Sequence, residues 1–351
     1  YASERLEASG DADVLRRRHA EHLLARAQEL EPYVPVAREW LDRVEHEHDN
    51  IRAALDRLQA TGDTQLALRL AEAVWRFWKV RGHQAESQRR LESLLAADRT
   101  STAARAHALN AASGMAVENG DYETGRLQAE EALAIHRQLG DAWGTARSVY
   151  MLGYAAIESG DFETAKPLFE EAVRHLDDLG YEHYVGLATF NLAWACAELG
   201  DNERARQLTE ENRRRARSMG NPALEASALE ELAWYARLEG RIEDSLSLLT
   251  EALRIGHDLG DIQHVLDSLS RFARSHVEMG RSELAARLLS CSLAEHEALA
   301  LEVPLYQVKR NEETLALLRE QLDDVAFEEA WGQGRTLTAD EAVALVLGDA
   351  D

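Results

Sequence analysis

Carboxylates are the most abundant side chains in this sequence that could carry out acid–base chemistry. They are dense in the segment SGDFETAKPLFEEAVRHLDDLG, at positions 159–180. Asp161 and Glu163 could act as a general acid and a general base only if their environments drew their pKa values apart. The same spacing recurs forty residues earlier at Asp121 and Glu123. An exposed first turn of a helix offers no such environment, so we interpret these carboxylates as helix caps and solubilising groups.

Histidines are the next candidates, because their ring nitrogens bind metal ions. His46 and His48 are alternate residues, which point in different directions on a helix, whereas a helical zinc pair needs i,i+4 spacing. His19 and His22 could share one helix face, but the sequence places no third ligand beside them. We therefore predict no metal site.

Nucleophilic catalysis has no support from residue spacing. No grouping of Ser, His and Asp, or of Cys and His, has the local pattern of an activated nucleophile. Cys196 and Cys291 are far apart and fall within predicted helices, so we expect no disulfide framework and a reducing, cytoplasmic location. The sequence predicts no catalytic residues and no enzyme activity.

Composition narrows the class of protein further. The chain carries 39 Lys and Arg against 63 Asp and Glu, which gives a formal net charge of −24. This charge repels a phosphate backbone and argues against direct nucleic-acid binding. No run of about 18 apolar residues suggests a membrane span. Abundant Ala, Leu, Glu and Arg, with only 5 Pro, predict an almost wholly helical chain.

Glycine recurs with a period of forty residues and marks where helices should end. Two series alternate: Gly120, Gly160, Gly200, Gly240 and Gly280, and midway between them Gly140, Gly180, Gly220 and Gly260. Glycine just past an amphipathic run tolerates the left-handed conformation that closes a helix. Asp or Asn follows most of these glycines and is suited to cap the next helix. Each forty-residue unit is therefore predicted to be a pair of helices of about 17 residues each.

Three local features give separate expectations. Residues 38–60 have the pattern of one amphipathic helix. Pro167, at the sixth position of its predicted helix, should cause a bend or a late helix start. Trp75, Phe77 and Trp78 should fill the seam between the irregular first unit and the repeats.

Small and large residues within each unit resemble the tetratricopeptide repeat pattern. Gly153 and Ala165 stand at its small positions, and Phe162 stands at its aromatic position after the turn. The unit exceeds the usual 34 residues by six. The resemblance implies an all-α fold, a right-handed α-solenoid of tetratricopeptide-like helix pairs with a forty-residue period.

The repeat resemblance also implies a binding groove, because the first helix of each pair lines the concave face of such arrays. Tyr154, Trp194 and Trp234 are forty residues apart and would stack as an aromatic ladder. Polar groups flank it and could orient a ligand. The candidate ligand- or peptide-binding residues are Arg147, Tyr150, Tyr154, Phe190, Asn191, Trp194, Glu230, Trp234, Arg237 and Arg274. Alternatively, these large side chains only pack between neighbouring helices.

Three further stretches resemble the C-terminal region of bacterial STAND-type regulators, which are NB-ARC ATPases related to LuxR-family and SARP-family transcription factors. They are YASERLEASGDADVLRRRHAEHLLARAQELEP, EWLDRVEHEHDNIRAALDRL with the helix that follows it, and FEEAWGQGRTLTADEAVALVL. The resemblance implies four parts. These are 1–33, a helical exit from a missing upstream winged-helix or ATPase module; 34–100, an irregular helical unit; 101–300, five repeats; and 301–351, a helical cap.

In that family an upstream ATPase is the switch and the repeats sense a signal. The chain has no GxxxxGK[ST] loop, so we expect no cofactor here and place ATP and Mg²⁺ in the upstream module. The resemblance implies a sensor that binds an inducer, a peptide or a protein partner on its concave face and biases its own ATPase module. The alternative is a protein–protein scaffold or self-association module, in which a homo-oligomer would form without a small ligand.

Overall fold

The computed structural model describes residues 12–28, 38–299, 301, 303 and 305–348. All regular structure in these residues is α-helical, which confirms the predicted all-α class. Predicted helical segments at 1–11, 29–33 and 349–351 lie outside the described residues. The helices are α1 Ala12–Ala27, α2 Arg38–His46, α3 His48–Thr61, α4 Thr64–Val80, α5 Gln84–Ala97, α6 Ala103–Glu118, α7 Tyr122–Leu139, α8 Ala142–Glu158, α9 Phe162–Asp178, α10 Glu182–Glu198, α11 Asn202–Met219, α12 Pro222–Leu238, α13 Ile242–Leu259, α14 Ile262–Glu278, α15 Ser282–Ala298, α16 Leu305–Gln321, α17 Asp324–Gly334 and α18 Ala339–Gly348.

The helix ends follow the predicted glycine period. Every glycine of the two series has a positive φ, for example +70° at Gly140. The Asp or Asn that follows accepts a hydrogen bond from the third residue of the next helix at six of these turns, as when Asp141 Oδ1 accepts from the Gly144 N–H at 2.9 Å. The repeated geometry of these turns sets how neighbouring helices pair.

The chain divides into two compact units, Tyr1–Ala195 and Cys196–Asp351, with the boundary inside α10. In the first unit α4 packs on α5 and α6, α6 packs on α7, α7 on α8, and α8 on α9. Phe77 and Trp78 are completely buried in its core. Trp75, which was expected to join them, is only partly buried against that core.

The second unit repeats the same construction from α12 to α15, each packed on the next. Its core contains Leu249, Phe272 and Leu289. The last helices close the stack: α17 packs on α15, and α18 contacts both α14 and α15. Phe327 and Val343 from these closing helices are part of the same core.

The single helix predicted for residues 38–60 is wrong. α2 ends at His46 and α3 begins at His48, with Glu47 between them. The break leaves His48 only 5% exposed, where its Nε2 accepts a hydrogen bond from Trp78 Nε1 at 3.0 Å. His48 therefore belongs to the core of the first unit.

The late helix start predicted for Pro167 is not found either. α9 begins at Phe162, and Pro167 lies inside it. Pro167 is exposed, as is Glu163, whose carbonyl loses its helical partner. Water can satisfy an exposed carbonyl, so the proline is tolerated there. Within the described residues no helix is long and apolar enough to cross a membrane.

Candidate ligand-binding clefts

The first unit contains an open cleft that we call the first cleft. Its walls come mainly from the first helix of successive pairs, with α1 and α2 at one side. The lining residues are Ala27, Gln28, Trp40, Glu72, Ala73, Trp75, Arg76, His107, Trp143, Arg147 and Tyr184. The cavity volume is about 370 Å³. This is within the range of small-molecule sites.

Helical spacing explains how these side chains meet. Glu72 and Arg76 are one turn apart on α4, and Trp143 and Arg147 are one turn apart on α8, so each pair shares one helix face. Arg147, only 6% exposed, donates from Nη1 to Glu72 Oε1 at 2.8 Å. This ion pair joins α4 to α8 across the wall of the cleft.

Aromatic rings form the other part of the wall. Trp143 lies 4.9 Å from the ring of Tyr184, edge to face, and 4.3 Å from the ring of Tyr181. Arg76 donates to the Tyr184 hydroxyl, and its guanidinium lies 5.8 Å from the ring centroids of both Tyr184 and Trp75. The first cleft therefore offers flat apolar surfaces beside hydrogen-bonding groups of both charges.

The sequence-predicted residues of the first unit lie in and behind this wall. Arg147 lines the cleft. Tyr150 is buried behind Tyr184, with ring centroids 6.5 Å apart, and its hydroxyl accepts from Asn191 Nδ2 at 3.1 Å. Burial raises the pKa of Tyr150, so its hydroxyl stays protonated. Phe190 is half-buried on α10 and does not line the cleft.

Two members of the predicted aromatic ladder belong to the first unit and pack against their own neighbours. The ring of Tyr154 is nearly parallel to that of Tyr150, with centroids 6.4 Å apart. Trp194 meets Phe162 edge to face at 6.0 Å. Both ladder residues are half-buried and lie outside the lining of the first cleft.

The third ladder residue, Trp234, lies in a second cleft within the second unit. The lining residues of this second cleft are Ala233, Trp234, Arg237, Ser245, Leu249, Ser270, Arg271, Arg274, Ser275, Gln307, Arg310 and Thr314. The guanidinium carbons of Arg237 and Arg310 lie 4.1 and 3.9 Å from the centroid of the Trp234 ring. The remaining cavity volume is about 20 Å³, which is room for about one water molecule.

Carboxylates neutralise the arginines of the second cleft. Glu231 accepts from Arg271 at 2.6 Å and from Arg310 at 3.2 Å. Burial opposes ionisation of Glu231, but these two guanidinium groups outweigh it and hold its pKa at about 2. Arg237 and Arg274, both predicted site residues, share Glu278 at 2.5 and 3.2 Å.

The predicted residue Glu230 lies beneath the second cleft and not in its lining. It is 3% exposed and accepts from Ser268 Oγ at 2.8 Å, with His264 Nδ1 at 3.7 Å. Asp267 is in the same network, where burial and the charge of Glu230 raise its pKa to about 7. These groups lie between α12 and α14.

Sequence reasoning missed most of the residues that line the first cleft. Glu72, Trp75 and Arg76 lie on α4, which belongs to the irregular unit to which the repeat frame was not applied. Trp143 and Tyr184 lie in the first turn of α8 and α10, earlier than the positions carried over from the repeat pattern. An aromatic residue soon after the capping position is the signal that could have found them.

The chain is similar to tetratricopeptide repeats over one helix pair. Residues 146–174, which span most of α8 and much of α9, match the family model of the tetratricopeptide repeat. This match supports the resemblance on which the groove prediction was based.

Curated relatives share part of the sequence. Over 163 residues the chain is 32% identical to proteins of Mycobacterium tuberculosis and Mycobacterium bovis, each described as a "Putative HTH-type transcriptional regulator". The match covers 44% of this chain and 18% of those proteins. The chain thus matches less than a fifth of their length.

Solved structures share the fold. A Rap protein complexed with competence and sporulation factor has a TM-score of 0.55 and 13% identity, covering 91% of this chain and 100% of that chain. BtubC from P. vanneervenii has a TM-score of 0.52 and 16% identity, covering 63% and 92%. The Rap conjugation gene regulator of plasmid pLS20, in complex with the Phr* peptide, has a TM-score of 0.51 and 10% identity, covering 78% of each chain.

Proposed function

We propose that this chain is the sensor region of a multidomain transcriptional regulator of the STAND type and that it binds a peptide or a small inducer in the first cleft. The observation that carries the proposal is the cleft itself. It combines about 370 Å³ of open volume with aromatic walls and an ion pair between Arg147 and Glu72 in its lining. Binding sites for small ligands have this composition.

The chemistry of the walls favours a ligand with both charges and an apolar part. A carboxylate of the ligand would pair with Arg147 or Arg76, and an ammonium or amide N–H would pair with Glu72. Trp143, which lines the cleft, would pack against an apolar side chain of the ligand. A short peptide meets all three requirements, because its backbone and termini supply donors and acceptors together.

Two of the comparisons support this function. Of the Rap structures with similar folds, one is described as complexed with competence and sporulation factor and the other as a complex with the Phr* peptide. The mycobacterial relatives carry a description as HTH-type transcriptional regulators, which agrees with an output at DNA. In the proposed mechanism, the ligand binds one arrangement of the helices more tightly and so shifts the balance of an upstream ATPase switch. The chain itself performs no chemistry, and ATP with Mg²⁺ belongs to the upstream module.

Native mass spectrometry of the chain, purified from its own host, tests the class of occupant. We expect a discrete adduct with the mass of a short peptide or a small metabolite. A clean protomer mass under gentle conditions would contradict the sensor proposal. A clean dimer mass would also contradict it and would favour the self-association module.

A further inference from the structure

Two histidines and one aspartate from three different helical segments converge at the edge of the first cleft. His107 lies on α6, His136 lies in the last turn of α7, and Asp141 is the capping residue of α8. Asp141 Oδ2 lies 2.9 Å from His136 Nδ1 and 3.5 Å from His107 Nε2. One ligand atom from each residue lies within 4.8 Å of the other two.

The environment of His136 indicates that a partner is needed at this point. The side chain is completely buried. Its Nδ1 lies 2.9 Å from Asp141 Oδ2 without a well-aligned hydrogen bond, and its Nε2 has no hydrogen-bond partner among the described residues. A buried polar group without a partner is costly, and native proteins rarely keep one without a reason.

We propose that His107, His136 and Asp141 form a binding site for a divalent transition metal ion of the Zn²⁺ type. Metal–nitrogen and metal–oxygen bonds of about 2.0–2.2 Å in a tetrahedral site place neighbouring ligand atoms about 3.4 Å apart. The two distances to Asp141 Oδ2, 2.9 and 3.5 Å, lie on either side of that value. Two of the three ligand–ligand distances are thus within about 0.5 Å of the tetrahedral value, and the third, between the two histidine nitrogens, is at most 4.8 Å.

The chain is built to hold these ligands in place. Asp141 Oδ1 accepts from the Gly144 N–H at 2.9 Å, which fixes the carboxylate and leaves Oδ2 directed at the histidines. A Cβ at position 144 would lie 2.1 Å from His136 Nδ1, so only glycine leaves room for the imidazole. Orientation of ligands by such outer contacts is typical of metal sites.

The local charges are compatible with a cation. Arg147 acts on both histidines and disfavours positive charge, but it is paired with Glu72 at 2.8 Å. Asp141 supplies the negative charge of the site itself. Three protein ligands leave one position of a tetrahedron for water or for a donor atom of a molecule in the first cleft, which His107 also lines. Only this last role rests on the proposed sensor function.

A second group, Glu45, His48 and His83, provides a control within the same unit. His48 Nε2 already accepts a hydrogen bond from Trp78 Nε1 at 3.0 Å. Only Nδ1 of His48 is then left to bind a metal ion. We therefore place the metal at His107, His136 and Asp141 and use His83 to control for binding elsewhere.

The test is a titration of the untagged, chelator-treated chain with Co²⁺ and with Zn²⁺. Tetrahedral Co²⁺ absorbs strongly in the visible range and reports the ligand set directly, and calorimetry gives the Zn²⁺ affinity. We expect one equivalent of tight binding by the wild type and by His83→Ala. Asp141→Asn and His107→Ala should each weaken binding by roughly tenfold or more. Asn keeps the helix cap, as Asn221 does at the start of α12.

The proposal is overturned if the wild type shows no saturable binding or if all variants bind equally well. It is also overturned if binding is lost only in His83→Ala. Circular dichroism of each apo variant checks that the helices are intact. Zn²⁺ should raise the Tm of the wild type more than that of Asp141→Asn, because only a native site stabilises the fold by mass action.

Discussion

The first and second clefts are lined by similar side chains, but the first cleft is open and the second is almost filled by its own side chains. In the second cleft, Arg237 and Arg310 lie against Trp234 and are neutralised by Glu278 and Glu231, which leaves about 20 Å³. In the first cleft, the aromatic rings pack on one another at the wall and leave about 370 Å³.

This contrast separates two uses of arginine and tryptophan. Where arginines lie against a tryptophan and carboxylates pair with them, the protein satisfies its own charged groups. Where the same residue types line an open volume, a ligand has room to contact them. Residue type alone does not distinguish the two uses, whereas the cavity that remains does.

The largest expected difference concerns the carboxylate that pairs with the arginines of each cleft. Glu231→Gln leaves the buried Arg271 and the half-buried Arg310 without their shared charge partner and should lower the free energy of unfolding by about 3–5 kcal/mol. Glu72→Gln removes one partner of a less enclosed pair and should cost about 1 kcal/mol. Urea unfolding of both variants measures this. Equal losses of unfolding free energy in the two variants would contradict this difference between the two clefts.

Glycines near the first cleft give the next largest effect. Gly144→Ala places a Cβ 2.1 Å from His136 and should cost about 1–3 kcal/mol through overpacking. The matched control is Gly114→Ala, whose Cβ would meet only Met151 Sδ at 3.6 Å. That change should stabilise the helix by about 0.5–1 kcal/mol. If both variants melt at the wild-type temperature, His136 is not confined as described.

The pH dependence of stability should identify the network beneath the second cleft. Asp267 has a folded-state pKa near 7, above its usual value of 3.8, because of burial and Glu230. Between about pH 4 and pH 7 the folded protein therefore keeps this proton while the unfolded chain loses it. The free energy of unfolding consequently falls as pH rises through this range. Asp267→Asn should remove this dependence and stabilise the protein at pH 7 by on the order of 2 kcal/mol.

Thermal melts from pH 4 to pH 8 test the expectation for Asp267. The exposed Asp258 gives the control, because Asp258→Asn should follow the wild-type profile. If the Tm of Asp267→Asn fell with pH in the same way as that of the wild type, Asp267 would not be the source of the pH dependence.

The smallest effect concerns the cap that begins α8. Asp141→Ala loses the hydrogen bond to the Gly144 N–H and should cost about 1 kcal/mol. Asp141→Asn keeps an acceptor and should match the wild type in the absence of metal. Equal destabilisation by both variants, measured by thermal melts of the apo proteins, would indicate that the charge and not the cap stabilises this helix.

Much of the fold could be predicted from the sequence, because it depends on local signals. Gly140 and Asp141 define one helix boundary through their own conformations, and the same signals recur along the array. The break at Glu47 was missed because it depends on contact between His48 and Trp78, thirty residues away. Periodicity carries no information about such a pair.

The candidate site was harder to predict for the same physical reason. Arg147 was predicted because it lies within the regular repeat frame. Arg310 was not, because it comes from a closing helix outside that frame, yet it covers one side of Trp234. The grouping of His107, His136 and Asp141 likewise exists only after three helical segments have packed.

The central claim is that the first cleft binds a ligand and the second does not. Native mass spectra of the wild type, Trp143→Ala and Trp234→Ala, each purified from the host, test it most directly. We predict an adduct on the wild type and on Trp234→Ala that is lost or greatly reduced on Trp143→Ala. An adduct lost on Trp234→Ala and kept on Trp143→Ala would contradict the account and place the site in the second cleft.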